Sequence, residues 1–180
     1  MAAQNDPLVA HSRQFETRLG YHLGEVFQFL RKLPKCISMT QYSDTLLNDV
    51  FDRAKTIAVV GFSMNPARAS HYVAEFLFEQ GYRVIPVNPG HAGKEIFGTT
   101  IRASLADIDE PVDMVDVFRR SEALMSVVDD ALLNLPGLQT IWSQLGVIDE
   151  AAAAKAEEAG VTMIMDRCPK IEIPRLGRTR

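Results

Sequence analysis

The chain lacks most of the devices that announce a function. It holds two cysteines, Cys36 and Cys168, and four scattered histidines, His11, His22, His71 and His91. Two cysteines cannot build a disulfide framework, so a reducing cytosol, hence a cytoplasmic location, is the default expectation. The same residues show no metal-ligand spacing, and no metal is expected. No apolar run approaches the roughly 20 residues of a membrane span, which argues against a membrane partner. The net charge of −4 runs against nucleic acid, whose phosphates call for a basic surface. Repeats are missing too; the run Ala151 to Ala154 is simply good helix former. What remains is a composition that is 47% hydrophobic and 23% charged, ordinary for a globular protein, and a length that suits one domain with some extra.

That extra is the first 41 residues. Phe15, Leu19, Leu23, Val26, Phe27 and Leu30 recur at helical spacing, which predicts an amphipathic helix over Gln14–Lys32, ended by Pro34. The basic excess of this stretch suits a targeting peptide, but Glu16 and Glu25 do not fit an acid-poor presequence. The alternative is a loosely docked or disordered extension, with Met39 as a second possible start ahead of the domain. The domain itself is expected to occupy residues 42–180.

From Ser43 onward, apolar runs and helical stripes alternate. Ser43 or Asp44 caps a short helix through Ala54, and Thr56–Gly61 is a strand without polar alternation, as in a parallel sheet covered on both faces. Tyr72, Val73, Phe76 and Leu77 mark a helix stopped by Gly81. Tyr82–Val87 is a second strand, in which Pro86 argues for an edge position or an exposed strand end, and His91–Thr100 reads as loop. A turn at Ser104–Ile108 precedes a third strand, Met114–Phe118. A helix opens at Ser121, and a fourth strand covers Gln139–Ser143. Asp149 caps Glu150–Ala159, a fifth strand runs from Val161 to Met165, and an extended tail follows to Leu176. Five alternations with short connections predict an α/β, Rossmann-like, doubly wound parallel five-stranded sheet with helices on both faces, in the order 3-2-1-4-5.

In such a sheet a ligand lies beyond the carboxyl ends of the strands, where the order reverses. With order 3-2-1-4-5 that crevice falls between strands one and four. The turn after strand one, Gly61 to Ser70, presents a glycine and then a helix N-terminus, whose free N–H groups suit phosphate. The dinucleotide fingerprint G-x-G-x-x-G is met only at Gly61, with Ser63 and Pro66 in the other two places. The acid that binds a ribose at the end of strand two is replaced by Asn88-Pro89. NAD is therefore disfavoured, and no Gly-Lys-Ser/Thr follows for a P-loop. Ser63, Asn65, Arg68 and Ser70 offer hydrogen bonds and one fixed charge, with Arg119 and Arg120 at the end of strand three. Phe118 offers a surface for an adenine ring.

Five segments then carry a resemblance. They are Thr56-Ile57-Ala58-Val59-Val60-Gly61-Phe62-Ser63, Val84-Ile85-Pro86-Val87-Asn88-Pro89, the stretch from Val112 through Val115-Asp116-Val117-Phe118-Arg119-Arg120, Trp142-Ser143-Gln144-Leu145-Gly146 and Met165-Asp166-Arg167-Cys168-Pro169-Lys170. Together, over roughly residues 44–176, they resemble the stand-alone CoA-binding protein family, itself similar to the N-terminal domain of the succinyl-CoA synthetase alpha subunit. The resemblance implies coenzyme A or an acyl-CoA as ligand. It implies phosphates at Gly61, Phe62, Ser63, Asn65, Arg68 and Ser70, and the nucleotide beside Asn88, Pro89, Phe118 and Arg119. It places pantetheine near Ser143, Gln144 and Leu145. The synthetase has a turn richer in glycine, with a lysine, and a second domain bearing a phosphorylated histidine. Here the turn reads Met64-Asn65-Pro66-Ala67-Arg68, and none of the histidines falls where that role carries over.

No paired carboxylates or nucleophile–base pair stands out, so a binding protein without catalysis is the leading reading. Cys168 is the one reactive candidate. Arg167 beside it would lower its pKa, and a mixed disulfide with CoA would make it redox-sensitive; the alternative is a buried structural cysteine ahead of Pro169. A small NAD(P)-dependent oxidoreductase and a ligand-free interaction domain, with a protein partner or a second copy of the chain, stay open beside the CoA reading.

Overall fold

A computed structural model describes residues 42–178; the helix expected over Gln14–Lys32 lies outside the described residues. Helix α1 (Asp44–Arg53) begins where Ser43 Oγ accepts from the Leu46 N–H at 3.1 Å, the cap expected of that serine. It turns Leu47, Val50 and Phe51 inward. There follow β1 (Thr56–Val60), α2 (Ala69–Glu79), β2 (Arg83–Val87), a two-residue hairpin of β3 (Glu95–Ile96) and β4 (Thr99–Thr100), β5 (Met114–Val117), α3 (Leu124–Asn134), β6 (Thr140–Ser143), α4 (Glu150–Glu158), β7 (Thr162–Ile164) and α5 (Pro169–Arg175). Asp149 caps α4, its Oδ1 accepting from the N–H groups of Ala151 and Ala152.

The five long strands form one parallel sheet, buried on both faces. One core gathers Ile57, Val59, Met114 and Trp142 with Phe51 of α1, Leu77 of α2 and Ile173 of α5. Alternation along the strands sends Ala58, Val115 and Ile141 to the opposite face. Among the described residues no helix is long and apolar enough to cross a membrane.

The fold class is as expected, but the strand order is not. The sheet runs β2-β1-β5-β6-β7, so the five expected strands stand in the order 2-1-3-4-5 instead of 3-2-1-4-5. The reason lies at the outer edge of β2. Pro86 has no N–H to give a further strand, and the chain seals that edge with a single residue. Arg102 N–H donates to Pro86 O at 2.9 Å, and Arg102 O accepts from Asn88 N–H at 2.9 Å. The connection then returns across the sheet and lays β5 on the free side of β1.

Two local expectations also change. The loop over His91–Thr100 contains the β3–β4 hairpin, whose turn residues Phe97 and Gly98 both have positive φ, 52° and 69°. The extended tail is instead helix α5. Pro169 sits in its first turn, where a missing N–H costs little, and Pro174 falls in the last turn. Arg175 pairs with Asp44 at 2.7 Å and with Glu172 at 2.7 Å, while Arg178 reaches Asn48 at 3.0 Å and pairs with Asp52, fastening the tail to α1.

Phe51 is fully buried, with its ring 5.2 Å from that of Trp142. Phe51→Ala is expected to cost about 3–5 kcal/mol of stability in urea unfolding followed by circular dichroism. A loss below about 1 kcal/mol would remove α1 from the set of elements that hold the sheet.

Candidate functional site

With this order the strand reversal falls between β1 and β5, not between strands one and four of the expected sheet. Gly61 marks the place. Its φ is +86°, and a Cβ there would lie 2.4 Å from the Phe118 carbonyl oxygen. The N–H groups of Gly61 and Phe62 both donate to Val87 O, at 3.0 and 3.3 Å, and Phe118 N–H donates to Val60 O at 2.8 Å. The carboxyl ends of β2, β1 and β5 are thus tied together around a residue that only glycine fits.

The turn beyond Gly61 is organised from within. Ser63 Oγ accepts from Asn65 N–H at 3.2 Å, and Asn65 Oδ1 accepts from Ala67 N–H at 3.0 Å. His71 Nδ1 donates to Ser63 O at 2.9 Å, which fixes the tautomer with the proton on Nδ1. Asn88 Nδ2 donates to Phe62 O at 2.6 Å, and its Oδ1 accepts from Gly90 N–H at 2.8 Å. The Asn88 side chain is therefore committed to the turn. Arg68 stands at the N-cap of α2 without capping it through its side chain, and is exposed. The N–H groups of His71 and Tyr72 donate to Arg68 O, which leaves those of Ala69 and Ser70 as the opening donors of α2.

An open cleft of about 540 Å³ lies against this turn. It brings together Gly61, Phe62, Ser63, Arg68, Ser70, Asn88, Phe118, Arg119, Gln144, Leu145 and Cys168. Three expected residues stand apart from its walls. Asn65 is exposed within the turn. Pro89 lines a neighbouring hollow of about 260 Å³, of which Arg119 is also a wall. Ser143 is buried, and its Oγ donates to Val147 O at 2.7 Å, so it shapes the loop after β6. Asp166, at φ +55°, braces the same loop by accepting from Gly146 N–H at 2.7 Å. Leu145 is left 57% exposed at the rim.

Sequence reasoning missed Ala69, Tyr72, Val73 and Val147, which complete the walls; Tyr72 and Val73 were read only as part of the apolar stripe of the helix. It also missed His71, considered only to set aside the role of a phosphorylated histidine, and Asp116. The signal for Asp116 was present: one acid inside an apolar strand. Asp116 is fully buried, and its Oδ1 accepts from Gln144 Nε2 at 2.7 Å. Burial pushes its carboxyl up to about 7, against the pull of the hydrogen bonds from Gln144 and the Val117 N–H.

Cys168 follows the reading of a buried structural cysteine and not that of a thiolate favoured by Arg167. Burial, aided by the nearby Asp116 charge, raises the thiol pKa, and Arg167 lies 3.7 Å from the Glu172 carboxylate. A raised pKa keeps the thiol neutral and slow to react.

The comparisons agree with this architecture. The CoA binding domain family matches residues 55–174. The uncharacterized protein YneT of Bacillus subtilis (strain 168) is 40% identical over 133 residues, covering 74% of this chain and 96% of its own. Among solved structures, cell-free ID.343 from Thermus thermophilus is 42% identical at a TM-score of 0.70, over 75% of this chain and 99% of that one. A hypothetical protein from Pyrococcus horikoshii OT3 is 33% identical at a TM-score of 0.69, over 75% and 92%. A dinucleotide forming acetyl-coenzyme A synthetase of Ca. Korarchaeum cryptofilum, at 21% identity and a TM-score of 0.50 over 61% of this chain and 25% of that one, shares the fold. With two thirds of its length matched, from the strand that opens the site to the helix that closes it, the chain belongs to the CoA binding domain family.

Proposed function

We propose that the protein binds coenzyme A or an acyl-CoA across the carboxyl ends of β1, β5 and β6, without catalysis of its own. The observation that carries the reading is the cleft at the β1–β5 reversal, flanked by Arg68 and Arg119 and walled further along by Gln144, Leu145 and Val147. Phosphates fit at the Gly61–Ser70 turn, where the start of α2 and the exposed Arg68 and Arg119 border the same cleft. The long pantetheine arm fits the mixed polar and apolar wall that runs from Phe118 to Leu145. Belonging to the CoA binding domain family points to the same ligand.

The NAD(P) reading has a specific observation against it. A ribose diol needs an acceptor at the end of β2, and the Asn88 side chain there is already spent on Phe62 and Gly90. A ligand-free interaction domain is disfavoured by the cleft itself, whose turn is held open by its own hydrogen bonds.

Calorimetry of the full chain with CoA, acetyl-CoA, NAD and NADP tests the proposal. Binding of CoA or acetyl-CoA with an intact thioester afterwards is the expected result; a preference for NAD or NADP, or silence with all four, would overturn it. Arg68→Ala is expected to weaken CoA binding roughly threefold or more and to flatten its salt dependence, a modest effect because Arg68 is exposed. Gly61→Ala is expected to abolish binding and to cost about 1–3 kcal/mol of stability, because the new Cβ meets backbone at a positive φ. Normal affinity in that variant would move the ligand away from the turn. Cys168 is proposed to serve as a neutral wall rather than a redox sensor: mass spectrometry after incubation with CoA disulfide is expected to show no mixed disulfide at Cys168, and an adduct there would assign it the redox role.

A further inference from the structure

Asp116 occupies the middle of the sheet, opposite Val59 of β1 and Trp142 of β6 in register. It has no solvent access. One carboxyl oxygen accepts from Gln144, and the other, Oδ2, has no hydrogen-bond partner. An unpaired buried carboxyl oxygen is costly, and a position among valines and tryptophan would be more stable with an apolar residue. The stability of the sheet does not account for it. Its single side-chain link leads to the cleft, because Gln144 is one of the cleft walls.

The chemistry of that link depends on the proton. A carboxylate is an acceptor only, so an ionised Asp116 must face the amide nitrogen of Gln144. The planar amide then turns its oxygen the other way. A neutral carboxyl carries an O–H and can donate to the amide oxygen, which lets the amide turn over and offer N–H to the cleft. Free CoA ends in a thiol, a weak donor; an acyl-CoA ends in a thioester, whose carbonyl only accepts.

We propose that Asp116 acts through Gln144 as a specificity-determining residue, selecting the free thiol of CoA when ionised and the thioester of an acyl-CoA when neutral. The inference rests on the CoA reading of the cleft. The selection operates near neutrality, since burial holds the Asp116 carboxyl at about 7. The surrounding ionisable groups leave Asp116 as the controlling one. Helix α1 presents Leu47, Val50 and Phe51 to this face, and no charge. Helix α2 brings His71, hydrogen-bonded to Ser63 O. Helix α5 brings Glu172, paired with Arg175 and near Arg167, and is preceded by Cys168. Of these, Cys168 feels the Asp116 charge, and its thiol is raised further by it, hence neutral throughout the range where Asp116 titrates.

The test is the ratio of the dissociation constants of acetyl-CoA and CoA, measured by calorimetry on the full chain from about pH 5.5 to about pH 8.5, a span that brackets neutrality. Taking the ratio cancels titration of the phosphates, which both ligands share. The expected result is a preference for CoA that grows roughly threefold to tenfold from the acid to the alkaline end, one hydrogen bond's worth. Asp116→Asn, which cannot ionise, is expected to give a ratio independent of pH. Should that variant fail to fold, Gln144→Leu removes the responding amide and is expected to give the same flat profile. A flat ratio in the unmodified protein, or a slope that survives in either variant, would overturn the inference while leaving CoA binding intact. Absence of binding by both ligands at every pH would overturn the CoA reading and this inference with it.

Discussion

The site depends on one close approach. Gly61 and the Phe118 carbonyl come so near that a single methyl group would separate them. This contact is possible only because β5 lies directly beside β1, and it draws the carboxyl ends of the two strands together at the reversal of the sheet. The Phe118–Arg119 peptide then stands next to the phosphate-sized turn rather than a strand away from it. Arg119 becomes shared by the main cleft and the smaller hollow lined by Pro89. A ligand as long as CoA needs such continuity, since its nucleotide and its pantetheine arm must lie along successive strand ends.

Around that contact the protein replaces glycines with hydrogen bonds. A glycine-rich turn leaves the backbone free to wrap a phosphate, at an entropic cost on ordering. Here Ser63, Asn65, His71 and Asn88 fix the turn before any ligand arrives. His71 is held in turn by aromatic packing, its ring 5.5 Å from Phe62 and 6.0 Å from Phe97. Phe97 accepts a left-handed backbone to make that contact, and a residue of its size does so only when its surroundings hold it there. The small hairpin is therefore a brace for the turn and not a decoration of the sheet edge.

What could be read from the sequence follows the range of the forces involved. The Ser43 and Asp149 caps, the glycine stops and the burial of Thr56–Val60 depend on neighbours in the chain, and each was legible. Pro86 pointed to an edge position or an exposed strand end, because the missing N–H is a local fact. That hint, rather than the expected order, which put this strand between two others, agrees with β2 at the edge. Which strand fills the other side of β1 is settled by pairing across 57 residues, as between Ile57 and Met114, and alternation alone is silent about it. The same limit explains the tail. Two prolines suggest extended chain, but Pro169 suits a helix start and the ion pairs to Asp44 and Asp52 come from far along the sequence. Of the candidate residues, most of those on the turn and at the strand ends line one cleft, with Asn65 exposed in the turn and Pro89 in the neighbouring hollow; Ser143 turned inward because its hydroxyl found a carbonyl four residues on.

Asp116 shows the cost of what lies behind the cleft wall. Its carboxyl is neutral in the folded protein up to about pH 7, whereas in the unfolded chain it ionises near its ordinary value of 3.8. Between those values the folded state holds a proton that the unfolded state has released. By linkage its contribution to stability is greatest below the lower value and declines as the pH rises toward the upper one. This is the reverse of a salt-bridged carboxylate such as Asp44, whose partner Arg175 lowers its pKa and whose contribution is lost as the pH falls. An acid that weakens the folded state at neutral pH, in the fully buried central strand of the sheet, is accounted for by what it does to Gln144 rather than by what it does for the core. The central strand thus supports the fold through Met114, Val115 and Val117, and is linked to the cleft, by way of Gln144, through the one residue that does not belong there on packing grounds.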